Sequence, residues 1–360
     1  MSSSNIDFNP AEAGTYFDAA ATTPLHPAVR EEMMENFAMF GNENSRHARG
    51  FEARKKFDAY IAKIADILKV PPSQLAVTYS GTDSNRRIIW ECRKRFRHEN
   101  LYASVVEHSS ITDEILEKNL FNPRDFSMLP SDPKFIALMA ANSETGAIYE
   151  AGELRKRFPN AIILRDYAQV VGKGVELDFE NCDAGTFAPQ KIYGPKMIGL
   201  IYLKNTEHFP EISKDTHTKN LFLVAGMAKA FELLNDETPK KLARWTRQIE
   251  TFIKTNIPDY KIHEKDSPRV PGIINMAFRG IRGAELMAVL SEKENICVST
   301  GSACTSDILT PTQVILFIEK DPAWQYPVRI SLHQFLTDES VTDFCEILAH
   351  YVEELRKRNF

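Results

Sequence analysis

The chain has 360 residues, of which 43% are hydrophobic and 26% charged, so it is long enough for a large core and, we expect, two domains. Its formal net charge of -5 gives no basic footprint for nucleic acid, and no apolar run approaches the length of a membrane span. Five cysteines without C-x-x-C spacing argue against a disulfide framework and against a structural zinc site or other metal site. The first residues lack a signal-peptide pattern, so we expect a cytosolic protein in which a special cysteine would be catalytic.

The first motif in the chain is a run of small residues, Asp18 to Pro24, which follows a polar arm over residues 1–14. Small side chains suit close approach to a ligand or to a second subunit. The same run is also typical of a helix start, with Thr23 as the cap and Pro24 at the first helical position. We expect both interpretations to hold.

An anion site is predicted where the strand 75–80 runs into Gly81 and Thr82 and a helix follows. Backbone N–H groups point outward at a helix start, and the helix dipole favours negative charge there, so phosphate is the natural ligand. The alternative is an ordinary helix cap, because Thr, Asp and Ser are common at that position.

Polar residues also follow the next three predicted strands. His108 follows the strand 102–106 and is either a ligand-facing group or a capping or packed histidine. Asn142 and Ser143 close the apolar run 135–141. Asp166 and Gln169 follow the buried strand that starts at residue 161. A carboxylate there needs a partner, which is an arginine, a backbone cap or the protonated nitrogen of a heterocycle.

Lys191 lies in a tight turn between two apolar strands, 184–187 and 198–202, with prolines and a glycine around it. A lysine that loses hydration has a lowered pKa and a nucleophilic amine, as a Schiff-base lysine requires. The alternative is a surface lysine on a loop.

Strands and helices alternate from about residue 75 to 235, which predicts an α/β fold with a mostly parallel, doubly wound sheet whose functional strand ends lie along one edge. A smaller α/β domain follows. We place the boundary near residue 245, with residues 15–245 in the large domain and residues 1–14 and 246–360 in the small one.

A lysine amine, a strand-end acid, an anion-binding helix start and a histidine together are the groups that hold pyridoxal 5'-phosphate. Several stretches resemble the cysteine desulfurases, the NifS/IscS-like branch of the class V aminotransferases, over about residues 15–345. These stretches are FDAAATTPLHP, FGNENSRH, VEHSSI, AQVVGK, QKIYGPK, TGSACTS and VRISLHQF. The resemblance implies the fold-type I architecture, a pyridoxal phosphate cofactor and a homodimer.

The resemblance also implies individual roles. Lys191 resembles the Schiff-base lysine, His108 the stacking acid/base and Cys304 the nucleophile that takes sulfur from L-cysteine, leaving alanine and an enzyme persulfide. Arg329 is similar to the arginine that binds the substrate carboxylate, with Asn142 nearby. The residues implied to bind the cofactor are Gly81, Thr82, His108, Ser143, Asp166, Gln169, Gln190, Lys191 and, from the neighbouring subunit, Thr218. A long segment between Cys304 and Arg329 resembles the class whose loop passes the persulfide to a sulfur-acceptor protein.

Four positions depart from the family pattern, and three of them concern the phosphate end of the site. The family's Ser-Gly-His-Lys is Ala188 to Lys191 here, Gly-Ala-Thr-Glu-Ser is shortened to residues 81–84, and the loop before Thr218 is shortened to SKDTHTK. Ser143 stands where an asparagine contacts the cofactor. Each lost contact weakens binding by roughly 1.5–3 kcal/mol if unreplaced, so we expect a working but looser cofactor site. Two alternatives stay open: a selenocysteine lyase of the same fold, and a catalytically retired paralogue that acts as a scaffold.

Overall fold

The computed structural model describes residues 13–214, 217–301 and 310–358. Its strands are β1 (Leu75–Thr78), β2 (Leu101–Ser104), β3 (Leu120–Phe121), β4 (Phe135–Ala137), β5 (Ile162–Asp166), β6 (Ala184–Phe187), β7 (Gly199–Leu203), β8 (Tyr260–Ile262), β9 (Ile273–Phe278) and β10 (Val328–Ser331). Its helices are α1 (Pro27–Phe37), α2 (Ala48–Leu68), α3 (Gly81–Arg95), α4 (Ser109–Thr112), α5 (Gly152–Arg157), α6 (Pro210–Ser213), α7 (Leu221–Glu232), α8 (Glu237–Asn256), α9 (Gly283–Glu294), α10 (Gln313–Ile318) and α11 (Asp338–Arg358).

The larger sheet has seven strands in the order β1-β7-β6-β5-β4-β2-β3. The pairs from β6 to β3 are parallel, whereas β7 runs antiparallel to both β6 and β1. Because β1 and β6 both oppose β7, they point the same way. The carboxyl ends of β1, β2, β4, β5 and β6 therefore share one edge, which confirms the predicted mostly parallel sheet.

Apolar side chains cover both faces of this sheet, because successive residues of a buried strand point to opposite sides. On β5, Ile163 packs in one cluster with residues of α2 and α7, while Ile162 and Leu164 pack in another with residues of α3. Helices on both faces make the doubly wound arrangement, and they leave the strand ends at the sheet edge open for function.

A second core surrounds the three-stranded antiparallel sheet β10-β9-β8. It includes the fully buried Trp245 from α8 together with residues of α9 and α11. Phe17 also packs there, and Tyr16 pairs with Cys297. Helix α8 crosses residue 245, and Leu242 already belongs to the second core. The domain division near residue 245 remains our proposal.

The predicted helix start at Thr23 and Pro24 is wrong. Helix α1 begins at Pro27, and His26 caps it by accepting a hydrogen bond from the Ala28 N–H. The Thr23 hydroxyl is engaged elsewhere, since it donates to the Gln190 carbonyl at 3.0 Å and accepts from the Tyr193 N–H at 2.7 Å. These bonds tie the small-residue motif to the turn that carries the predicted Schiff-base lysine.

The short strands β3 and β8 were not predicted, because two or three residues give too little pattern to distinguish a strand from a loop. Among the described residues, no helix is long and apolar enough to cross a membrane.

Candidate active site

Lys191 ends the short turn 189–191 that follows β6. Its Nζ donates to the carbonyl oxygens of Ala20 at 2.5 Å and of Ala21 at 2.6 Å. The small residues of the first motif let the backbone come this close. Two backbone acceptors fix the amine in place, which argues against a lysine that simply extends into solvent.

His108 and Asp166 are joined by a chain of hydrogen bonds. Asn85 Nδ2 donates to Asp166 Oδ2 at 3.1 Å and to Ser110 Oγ at 3.0 Å, and Ser110 Oγ lies 2.8 Å from His108 Nδ1. Thr186, at the end of β6, donates to Asn85 Oδ1 at 2.7 Å. Helix α3 therefore supplies the amide that holds the acid and the imidazole in fixed positions.

The neutral imidazole of His108 accepts a hydrogen bond at Nδ1. The Ser110 N–H donates to Nδ1 at 3.1 Å, so the ring proton belongs on Nε2. Burial lowers the pKa of His108, the Asp166 carboxylate opposes this shift, and the charge of Lys191 lowers the pKa further. The capping interpretation of His108 also holds, because the same Nδ1 contact caps α4.

Arg165, the arginine next to Asp166, binds other groups. Arg165 pairs with Asp178, with 3.2 Å between Nε and Oδ1, and donates to the backbone carbonyls of Leu138 and Tyr149. Asp166 accepts from the Ala168 N–H at 2.9 Å, in addition to Asn85. These donors, from the part of the chain that the structure describes, are neutral and leave the carboxylate's charge for a protonated ring nitrogen.

The predicted anion site lies at the start of α3, where Ser80 caps the helix and accepts from the Asp83 N–H at 3.0 Å. A Cβ atom placed on Gly81 would lie 3.2 Å from the Cβ of Ala188, so this helix start and the Lys191 turn approach closely. Thr82 is the next residue of the helix. The phosphate-binding candidates are thus adjacent to the candidate Schiff-base lysine.

Arg329 lies on β10 of the smaller sheet, and its side chain reaches the loops that carry Asp18 and Ser143. It is 1% exposed. Its Nη2 donates to Asp18 Oδ1 at 2.6 Å and its Nη1 to the Ser143 carbonyl at 3.2 Å. Both terminal nitrogens are thus engaged, while the buried Nε has no hydrogen-bond partner among the described residues, so a substrate carboxylate would have to share or displace the Asp18 contact.

Two other predicted residues, Asn142 and Gln190, form hydrogen bonds within the protein. Asn142 is buried and uses its side chain within the protein, donating to the Val106 carbonyl and accepting from the N–H groups of Glu144 and Thr145. The backbone carbonyl of Gln190 receives the Thr23 bonds.

Thr218 is exposed and accepts from Asn42 Nδ2 at 2.6 Å. Its neighbour His217 packs against Tyr79 of the same chain, with ring centroids 4.7 Å apart. Tyr79 comes directly before Ser80 and Gly81, where the anion site is predicted. The contribution of Thr218 to a neighbouring subunit remains a prediction. Cys304 lies outside the described residues.

The sequence alone did not single out Asn85, Ser110, Asp18 or Lys173. Asn85 lies one helical turn after Gly81, so helical spacing was the available signal for it, whereas Ser110 lies two residues after His108, in the first turn of the helix that His108 caps. The carbonyls of Ala20 and Ala21 carried none, because backbone groups do not vary with residue type. Within the described ranges, no group of three or more His, Cys, Asp or Glu side chains is placed to hold a metal ion.

Comparison with known proteins matches almost the whole chain to one family. The family described as Aminotransferase class-V matches residues 15–344. The cysteine desulfurase IscS of Dictyoglomus turgidum is 31% identical, over 95% of this chain and 95% of that protein.

Two solved structures share the fold. A NifS-like protein gives a TM-score of 0.79 at 22% identity, covering 94% of this chain and 99% of its own. SspA in complex with cysteine gives a TM-score of 0.72 at 22% identity, covering 90% and 100%.

Proposed function

Since this chain belongs to the class V aminotransferase family, we propose that it is a cysteine desulfurase that uses pyridoxal phosphate to remove sulfur from L-cysteine. The observation that carries the proposal is the convergence of one amine, one carboxylate and one neutral imidazole at the shared sheet edge. The amine of Lys191 is fixed by two carbonyls, and Asp166 and His108 are linked through Asn85 and Ser110.

The residues present fit the cofactor. When bound through a lysine amine, pyridoxal phosphate supplies an electron sink for the substrate's α-carbon electrons. Lys191 would hold it, Asp166 would keep its ring nitrogen protonated, and Gln169 would donate to its phenolic oxygen. The start of α3 at Gly81 and Thr82 would bind the phosphate.

His108 and Lys191 are suited to move protons between substrate atoms. The neutral imidazole carries its proton on Nε2, while the Nδ1 side is held by Ser110. A pKa below its usual value keeps this imidazole neutral at neutral pH, and a proton that it accepts would be released readily.

Arg329 would bind the carboxylate of L-cysteine, and Cys304 would take its sulfur. The overall step balances as L-cysteine plus enzyme thiol giving L-alanine plus enzyme persulfide. The substrate's carbon–sulfur bond breaks, a sulfur–sulfur bond forms at Cys304, and the carbon released receives a proton. The step requires Cys304 as a free thiol, so we propose a reducing compartment such as the cytosol.

We also propose a homodimer and a protein acceptor for the persulfide sulfur, as in iron–sulfur cluster assembly or thiolation. Support for the dimer comes from an apolar surface on α1, α2 and the loop between them, which we call the 34–51 surface. Its members are Met34 (65% exposed), Phe37 (64%), Phe40 (70%) and Phe51 (63%). Patches of this kind are typical of interfaces.

The test combines cofactor binding with product analysis. Purified protein should develop a visible absorption band with pyridoxal phosphate, and with L-cysteine and a reductant it should release sulfide and alanine in equal amounts. Lys191→Ala should abolish the band, and Cys304→Ala should keep the band but release no sulfide. Full sulfide release by Cys304→Ala would refute the persulfide step. A higher rate on selenocysteine than on cysteine would favour the lyase alternative.

A further inference from the structure

Lys173 is a lysine that the proposed chemistry does not use, yet it lies beside the site. It follows Gln169 by four residues in the turn after β5, and its Nζ donates to Gln169 Oε1 at 2.9 Å. Lys173 and Lys191 also border the same small cavity, of about 30 Å³.

The contacts of Gln169 determine which way its amide faces. A backbone carbonyl can only accept, so the amide NH₂ must face Ala20, and the amide oxygen then faces the Lys173 amine, which donates to it. On the opposite side, Gln169 Nε2 donates to the Ala20 carbonyl at 3.0 Å, and that carbonyl also accepts from Lys191 Nζ. The amide NH₂ is therefore directed to the side of the site where Lys191 lies.

Keeping Lys173 in this place is costly for the protein. Burial lowers the pKa of Lys173 to about 7, and the positive charges of Lys191 and Arg329 contribute to the shift. Perturbed groups of this kind cluster at functional sites, and here the geometry gives the group a task.

We propose that Lys173 is a positioning residue that fixes the side-chain amide of Gln169 with its NH₂ toward the cofactor's phenolic oxygen. This inference depends on the proposed function, since it assumes that pyridoxal phosphate occupies the site. Without Lys173 only the Ala20 carbonyl would select this orientation, so the amide would turn more easily and present its oxygen, which would repel the phenolic oxygen instead of donating to it.

The test measures pyridoxal phosphate affinity by titration of the visible band, with no substrate present. Lys173→Met should weaken binding about tenfold, as expected for one lost hydrogen bond. Lys173→Arg keeps a donor and should restore most of the affinity. Lys173→Gln, which can present either an oxygen or an NH₂, should fall between the two and is the second variant if Lys173→Met does not fold.

A double-mutant cycle distinguishes positioning from a direct effect of charge. In a Gln169→Met background, Lys173→Met should weaken binding no further, because the amide it orients is gone. An equal loss in both backgrounds, or no loss in either, would overturn the proposal.

Lys241→Met is the matched control. Lys241 donates to the backbone carbonyls of Gln334 and Leu336, and its removal should leave the affinity unchanged. If the wild-type protein gives no visible band, the proposed function itself fails. A wild-type band with an unchanged Lys173→Met affinity refutes only the role of Lys173.

Discussion

Arg329 carries its charge in the interior, and Asp18 is the carboxylate that neutralises it. The two side chains are 2% and 19% exposed, so the arginine depends on its partner more than the aspartate does. Removing one partner of a buried pair leaves the other charge uncompensated, which typically costs 3–5 kcal/mol. Asp18→Asn should therefore lower the free energy of unfolding by about 3 kcal/mol in urea titrations.

The control for this residue pair is Arg329→Met. It should cost less than Asp18→Asn, because Asp18 can turn toward water once its partner is gone. The double variant should be more stable than Asp18→Asn alone, since it buries no lone charge. If the two single variants lose equal stability, the exposure difference does not govern the pair.

Gln190 offers a second prediction at the scale of one side chain. Its backbone carbonyl is bound by Thr23, so a change of side chain leaves that anchor intact. In the family that this sequence resembles, a histidine occupies this position, and its imidazole is expected near the phosphate. Gln190→His should tighten pyridoxal phosphate binding about tenfold, the value of one charge-assisted contact. Fluorescence titration checks this, with Gln190→Ala as the control, which should bind no tighter than wild type.

Glu107 links two elements, because its carboxyl joins the end of β2 to the segment after β4. Oε1 accepts from Ser104 Oγ at 2.5 Å and from the Met139 N–H at 2.7 Å. Burial raises the pKa of Glu107 from 4.5 to about 7, while those two donors oppose the shift. The folded protein thus favours the protonated acid, and its stabilisation is complete below about pH 4.5 and lost as the pH rises through 7.

Glu107→Gln keeps a neutral group at every pH, so it should become more stable relative to wild type between pH 4.5 and 7. The difference should grow by about 3 kcal/mol and then level off above pH 7. Thermal or urea unfolding of both proteins at a series of pH values measures it. Other titrating groups are common to both proteins and cancel. A pH-independent difference would show that Glu107 is not protonated in the native state.

The elements themselves follow from local patterns more easily than the links between them. The apolar runs at residues 184–187 and 161–164 predict β6 at its observed bounds and β5 with an end two residues too early. The Thr23-Pro24 pair is typical of a helix start, but Thr23 is engaged by Gln190 and Tyr193, residues far away in the chain, so the predicted cap is wrong. The bond from Asn85 to Asp166 joins residues 81 positions apart, and no local pattern encodes such a contact.

The 34–51 surface exposes four large apolar side chains to solvent in the single chain. Phe37 packs on Phe222 with ring centroids 5.4 Å apart, and Arg49 lies 5.4 Å from the centre of the Phe40 ring. A Cβ atom at Gly41, whose φ is +130°, would lie only 2.7 Å from the Arg49 carbonyl oxygen, so glycine is required where the loop after α1 passes the start of α2. The exposed apolar side chains therefore lie on two neighbouring helices and the loop between them, and Asn42 of this loop donates to the exposed Thr218.

If a second copy covers this surface, Phe40→Asp should separate the subunits. The ring is 70% exposed in the single chain, so the substitution should change the monomer's stability little, within about 0.5 kcal/mol. In a dimer it would bury a carboxylate among aromatic rings, which is costly without a partner. Sedimentation velocity should show a dimer for wild type and a monomer for Phe40→Asp.

Met128→Asp is the control, since Met128 is 47% exposed and lies outside the 34–51 surface, so this variant should remain dimeric. The separated Phe40→Asp subunit also tests whether Thr218 acts across the interface. If the partner's copy binds the phosphate, the monomer should bind pyridoxal phosphate several-fold more weakly, and Thr218→Val should add nothing further to that loss. If Thr218 instead serves its own chain, where His217 packs against Tyr79, the monomer should keep its affinity and Thr218→Val should lower it. A monomeric wild type would refute the dimer and leave only the second of these routes.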